Sequence, residues 1–301
     1  MRDMNRRQML GAAGALGALT ALELSCARAA RETNTMARTT GQQEGSTRMP
    51  AIFAAHGAPI LLDDAPWMGE LAAWARAMPT PRNVLMLSAH WEAKPASLGA
   101  TTNVPLVYDF YGFPEQYYRT QYPSPGAPEL AARVRELLRE RSIPVRDEPQ
   151  RGLDHGAYVP LVAMYPKADV PVLQLSLPAL DAEELFTLGR ALAPLRDEGT
   201  LVFGSGFLTH NMRYAFRPGV PTWAKEFDAW AAESLAKLDF ESLKDWERRA
   251  PAARTALPTW EHYAPLLVAA GAVAEEKPRV SFPITGFWMD GAFTRRSVQF
   301  G

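Results

Sequence analysis

The stretch LVFGSGFLTHNMR, residues 201–213, decides how the rest of the chain is read. LVFG (201–204) has the composition of a buried β-strand, Gly204-Ser205-Gly206 reads as a turn at its end, and His210 follows. Three readings compete. A phosphate loop needs a Lys-Ser or Lys-Thr pair after its glycines, and none is present. A nucleophile elbow needs Gly-x-Ser-x-Gly, whereas Ser205 has glycine as its immediate neighbour on both sides. What remains is a strand that hands a histidine to the edge of a sheet.

The same arrangement recurs outward from that stretch. AIFAA (51–55) runs directly into His56, and NVLMLS (83–88) is followed by His90; PVLQLSL (171–177) is a further apolar run. Between the runs, Leu130, Val134, Leu137 and Leu138 recur at helical spacing, as do Leu185, Leu188, Leu192 and Leu195. Asp181 with Glu184 three residues on forms a capping-box pair at the start of the second of these helices. Strands that are apolar throughout, alternating with helices, predict a single α/β domain over residues 49–301. Its central sheet is expected to be mostly parallel or mixed and flanked by helices. The C-terminal ends of parallel strands are where such sheets bind ligands, and His56, His90 and His210 all sit there.

The remaining two of the five histidines are His155, in GLDHGAYVP beside a glycine turn, and His262, in PTWEHYAPLL near a helix start. Imidazoles without thiolates suit a borderline divalent ion such as Fe(II) or Zn(II), with Asp or Glu able to complete the shell. Neither His-Glu-x-x-His nor His-x-His occurs. Residues 101–126, rich in aromatics and proline, lack a period; they read as a long functional loop or as an excursion covering the sheet edge.

Composition narrows the partners. The 301 residues are 47% hydrophobic and 22% charged with a net charge of −1, which argues for a globular chain and against attraction to nucleic acid or an anionic membrane. A small-molecule partner is expected. Residues 1–29 carry Arg6-Arg7, an apolar run from Met9 to Leu22 and an Ala-Arg-Ala site, the pattern of a twin-arginine export signal. That run is shorter than the roughly 20 residues a membrane span needs, so periplasmic export without stable membrane insertion is expected. Cys26 is the only cysteine, and Glu23 before it disfavours lipid anchoring; cleavage near Ala29 leaves no thiol. Polar residues 30–48 read as a flexible linker.

Taken together, AAHGAPI, SAHWEA, DFYGFPEQYY with YPSPGAPELA, GLDHGAYVPLVAMYP, GSGFLTHNMR, WEHYAPLL and GAFTRRSVQFG follow a familiar order. It resembles the class III extradiol ring-opening dioxygenases, in their 4,5-DOPA dioxygenase-like branch, over essentially all of residues 49–301. The resemblance implies an α/β fold and one divalent metal per chain, Fe(II) for dioxygenase activity or Zn(II) as bound. It implies a catechol-type substrate and O₂, with the ring opened beside the diol. By motif, His56 and His90 are the N-terminal ligands. His262 stands where related enzymes carry a glutamate ligand, with neighbouring Glu261 as runner-up. His210 is the acid/base or an additional ligand, and His155 a second group near the substrate.

Tyr108, Phe110 and Phe113 are expected to wall the ring's pocket or to belong to the core. Phe207 replaces an asparagine, and Ala58 a serine, common in relatives; both changes bear on the substrate. A non-catalytic metal-binding or interaction protein on the same scaffold, and a zinc-dependent hydrolase, stay open as alternatives. The oligomeric state is not specified.

Overall fold

The apolar runs assemble into one sheet. The computed structural model describes residues 48–301, so the expected export signal, Cys26 and all of the expected linker but Arg48 lie outside the described residues. The strands are β1 (Ala51–Ala55), β2 (Asn83–Ser88), β3 (Ala96–Leu98), β4 (Val145–Asp147), β5 (Val172–Gln174) and β6 (Thr200–Gly206). They continue with β7 (Val280–Ser281), β8 (Phe287–Trp288), β9 (Phe293–Thr294) and β10 (Val298–Phe300). The central sheet has the order β5-β2-β6-β1-β10-β7. Its first four strands are mutually parallel, and β10 and β7 add an antiparallel edge, so the sheet is mixed.

Side chains alternate across this sheet, as the pleat requires. Ala51 and Phe53 of β1 join one hydrophobic core with Leu85, Leu87 and Val202; Ile52 and Ala54 join another with Val84, Met86 and Phe203. Burying each such large apolar side chain contributes on the order of 1.5–3 kcal/mol. Helices α1 (Ala65–Ala77) and α3 (His155–Met164) belong to the second core. To the first belong α2 (Pro128–Glu140), α4 (Ala182–Leu192), α5 (Thr222–Ala236), α6 (Phe240–Lys244), α7 (Trp246–Arg249), α8 (Ala253–Ala256) and α9 (Ala264–Gly271). The cap of α4 forms where the sequence placed it: Asp181 Oδ1 accepts from the Glu184 N–H at 2.8 Å.

Two expectations need correction. Gly204-Ser205-Gly206 is not a turn: β6 continues through Gly206, with Ser205 paired to Ala54 on one side and Ser88 on the other. The glycines serve close approach instead. A Cβ at Gly204 would come 2.5 Å from the Pro265 carbonyl oxygen, and one at Gly206 would overlap the carbonyl of His262. The chain entering α9 therefore lies directly on the strand, and the Phe207 N–H donates to the His262 carbonyl at 2.9 Å.

The run 171–177 pairs with β2 only through Gln174. Beyond it, the N–H groups of Ser176 and Leu177 donate to Ser97 and Trp91, both at 2.9 Å. The chain thus crosses from the central sheet to the small parallel pair β3–β4. At the start of the described chain, Arg196, buried at 2% exposure, donates from Nε to the Met49 carbonyl at 2.8 Å. Among the described residues no helix is long and apolar enough to cross a membrane.

Candidate metal centre

All five histidines meet at one end of the parallel strands. His56 follows β1 directly, His90 lies just beyond β2, His155 opens α3, His210 follows β6, and His262 precedes α9. Ring centroids of His56 lie 5.0 Å from His90, 5.6 Å from His155 and 5.4 Å from His262. The rings of His210 and His262 stack at 3.5 Å, 9° from parallel. His56, His90 and His155 offer ligand atoms within 4.8 Å of one another, as do His210, Glu261 and His262.

Backbone contacts fix the supports of these rings. The His56 N–H donates to the Gly206 carbonyl at 3.3 Å, and that of His210 to Ala256 at 2.9 Å. Asp154 caps α3 by accepting from the Ala157 N–H at 3.1 Å, which sets the helix start at His155. Gly156 lets that helix end press on the site: a Cβ there would come 2.9 Å from His90 Cδ2 and overlap Ser88 Oγ.

Each Nδ1 has a partner. His155 Nδ1 lies 2.8 Å from Asp109 Oδ1, and His90 Nδ1 lies 3.4 Å from the other oxygen of the same carboxylate. His262 Nδ1 lies 2.8 Å from Glu261 Oε1, which is also 3.9 Å from His210 Nδ1. His56 Nδ1 lies 3.0 Å from Ser205 Oγ. A carboxylate can only accept, so at His155 and His262 it holds the proton on Nδ1 and leaves the Nε2 lone pair free, and Asp109 favours the same tautomer of His90. His56 Nε2 and His90 Nε2 face each other at 3.2 Å. Two lone pairs so placed repel unless a cation sits against both, so the donor set fits a divalent metal.

Burial favours the neutral form, which binds a metal, at His56, His90, His210 and His262. It holds His56 and His262 well below the usual imidazole range, with the neighbouring histidines acting in the same direction. Burial, aided by His155 and opposed by Asp109, brings His90 down to about 3. His210 falls to about 4 through burial, against the attraction of Glu261. For Asp109 burial acts upward, but the hydrogen bond from His155 and the charges of His155 and His90 prevail and hold it at about 2. His56, His155 and His262 are buried, whereas the side chains of His90 and His210 retain 21% and 19% exposure, so the cluster opens to solvent on their side.

A family model described as the catalytic LigB subunit of aromatic ring-opening dioxygenase matches residues 50–292. The chain belongs to this family. Among the dioxygenase's relatives is a 4,5-DOPA dioxygenase extradiol of Beta vulgaris, 42% identical over 257 residues, covering 83% of this chain and 95% of that one. Another of the same name, from Escherichia coli strain K12, is 37% identical over 265 residues, covering 85% and 96%. A crystal structure of an uncharacterized protein from Escherichia coli K12 superposes with a TM-score of 0.72 at 33% identity, covering 84% of this chain and all of the other.

Other residues of the dioxygenase divide between site and scaffold. Phe110 approaches His155 at 5.8 Å between centroids, and Phe113 packs behind it on Phe110 at 5.4 Å. Tyr108 turns its hydroxyl to the Thr120 carbonyl at 2.6 Å. Phe207, buried at 2% exposure, touches His56 edge-on at 5.1 Å and lies against Phe293 at 5.3 Å, so it walls the metal centre. Ala58 is half-buried, and its carbonyl accepts from the Leu61 N–H at 2.8 Å. Glu261 faces the Nδ1 atoms of two histidines. The sequence reading missed Asp109 and the hydrogen-bonding role of Ser205. The signal for Asp109 was a carboxylate set among aromatics in YDFYGF.

Proposed function

We propose that the dioxygenase opens the ring of a catechol-type substrate at a single divalent ion, Fe(II) in the active enzyme, held by His56, His90 and His262. The observation that carries this reading is the pair of Nε2 atoms facing each other at 3.2 Å, on imidazoles whose neutral form burial favours. When bound, the ion supplies a Lewis-acidic, redox-active centre at which the catechol oxygens and O₂ meet.

The chain's own groups do the rest. His210 is neutral near pH 7 and partly open to solvent, so its Nε2 can accept a hydroxyl proton from the arriving catechol. His155, whose Nδ1 contacts Asp109, presents its other nitrogen as the second proton-transfer group. Phe207 beside His56 and Phe110 beside His155 supply apolar walls on the buried side of the cluster. In this reading residues 49–301 are the catalytic domain, and residues 1–29 direct it to the periplasm.

Anaerobic loading with Fe(II), followed by a panel of catechols, tests the proposal. O₂ uptake with a yellow ring-opened product is expected. Absence of both with every catechol, in protein that has retained its iron, would overturn it. N-terminal sequencing of the periplasmic fraction tests export, with a mature chain beginning near residue 30 as the expected result.

A further inference from the structure

Ser205 is fully buried near the C-terminal end of β6 and touches two other parts of the site. Its hydroxyl donates to the carbonyl of Gly156, in the first turn of α3. Its oxygen lies 3.0 Å from His56 Nδ1. A serine has one proton to give, and a carbonyl can only accept. The proton therefore points at Gly156, and the Ser205 oxygen accepts from the Nδ1–H of His56. That leaves His56 Nε2 as the nitrogen with the free lone pair.

The direction of this relay has its own cause four residues further on. In an α-helix the carbonyl of residue 156 is served by the N–H of residue 160, and residue 160 is proline inside α3. Pro160 has no N–H, and its ring crowds the carbonyl four residues back, which turns that group away from the helix axis. Gly156, lacking a Cβ, lets the turn carrying this carbonyl lie against Ser88 and the histidines.

We infer that Ser205 is a positioning residue for His56, oriented by the Gly156 carbonyl that Pro160 leaves without its helical donor, and that this relay presets the metal-binding tautomer. The inference rests on the reading of His56 as a ligand. It also gives the Gly-Ser-Gly segment a chemical task unrelated to a nucleophile, because the hydroxyl proton is already committed and no solvent reaches it.

Zinc binding by the full chain tests it, read by competition with a chromophoric chelator and by NMR of ¹⁵N-histidine-labelled, zinc-loaded protein. In Ser205→Ala we expect zinc affinity about 10–100-fold weaker. The slowly exchanging Nδ1–H signal of His56 should be lost, while the far-UV circular dichroism stays that of the parent. Pro160→Ala returns a competing N–H to Gly156 and should weaken zinc severalfold with no loss of helix content. Wild-type affinity together with an unchanged Nδ1–H signal in Ser205→Ala would overturn the inference. Wild-type affinity in Pro160→Ala would remove the proline from it. His56→Ala separates the two readings: if it binds zinc as the parent does, the ligand assignment fails, whatever Ser205 does.

Discussion

Two carboxylates serve four of the five histidines, and they do so differently. Asp109 reaches the site from the aromatic loop, 46 positions from His155 in sequence, and divides its two oxygens between His155 and His90. Glu261 is the chain neighbour of His262 and uses one oxygen, 2.8 Å from that ring and 3.9 Å from His210. His155 and His90 are oriented by docking a distant loop, whereas His262 is oriented by its own chain neighbour. The first arrangement ties proton chemistry and metal geometry to whatever holds residues 101–126 in place; the second is built in as soon as the approach to α9 forms.

The most severe way to probe that contrast is to remove the rings themselves. His56→Ala or His90→Ala is expected to abolish metal retention, measured by elemental analysis after gel filtration, and full occupancy in both would break the ligand assignment. Asp109→Asn comes next. An amide has one acceptor oxygen in place of two, so it cannot serve both His155 and His90, and turnover should fall about 10–100-fold with the fold intact. Glu261→Gln keeps an acceptor for the His262 Nδ1–H, and its loss should stay below about 10-fold. Equal losses from the two amide variants would erase the distinction between the loop-borne and the local carboxylate.

Acid provides a gentler test, with a definite sign. His90 and His210 have folded-state values of about 3 and about 4, below the ordinary 6.5, so the unfolded chain binds protons first as the pH drops. Metal-free protein should be most stable above pH 6.5 and lose stability as the pH falls from there toward 4. At pH 5 the loss amounts to up to about 2 kcal/mol for each ring. A melting temperature for metal-free protein that does not move between pH 7 and pH 5 would contradict the burial that keeps these rings neutral. The smallest effect is expected from Phe207→Asn, which places an amide against His56: KM for a given catechol should shift severalfold, measured by O₂ uptake, while zinc affinity changes little.

Much of this was legible in the chain, for a physical reason. Strands such as AIFAA and NVLMLS are buried on both faces, so they are apolar throughout, and a histidine directly after each stands out against that background. The family motifs extended this to His155 and His262. Ser205 was harder to read, because a Gly-Ser-Gly sequence looks like a turn and nothing local says that two glycines are there to admit a neighbouring backbone. Asp109 was harder still. Its partners are set by how a loop without period folds over the sheet, and no spacing rule reports a contact across 46 positions. Pro160 carried no signal of its own in the sequence; its use lies in the bond it omits.

The contact of β6 with the chain entering α9 has a consequence for how such a site can change over time. Where Gly204 and Gly206 meet the carbonyls of Pro265 and His262, the spacing is set by main-chain atoms, which have no rotamers and no alternative sizes. Such a joint acts as a fixed gauge: substitutions around it can alter what enters the cavity without altering the distance across the cage. New substrate ranges would then arise in the walls, at Phe207 and in the aromatic loop, while the cage itself is inherited unchanged.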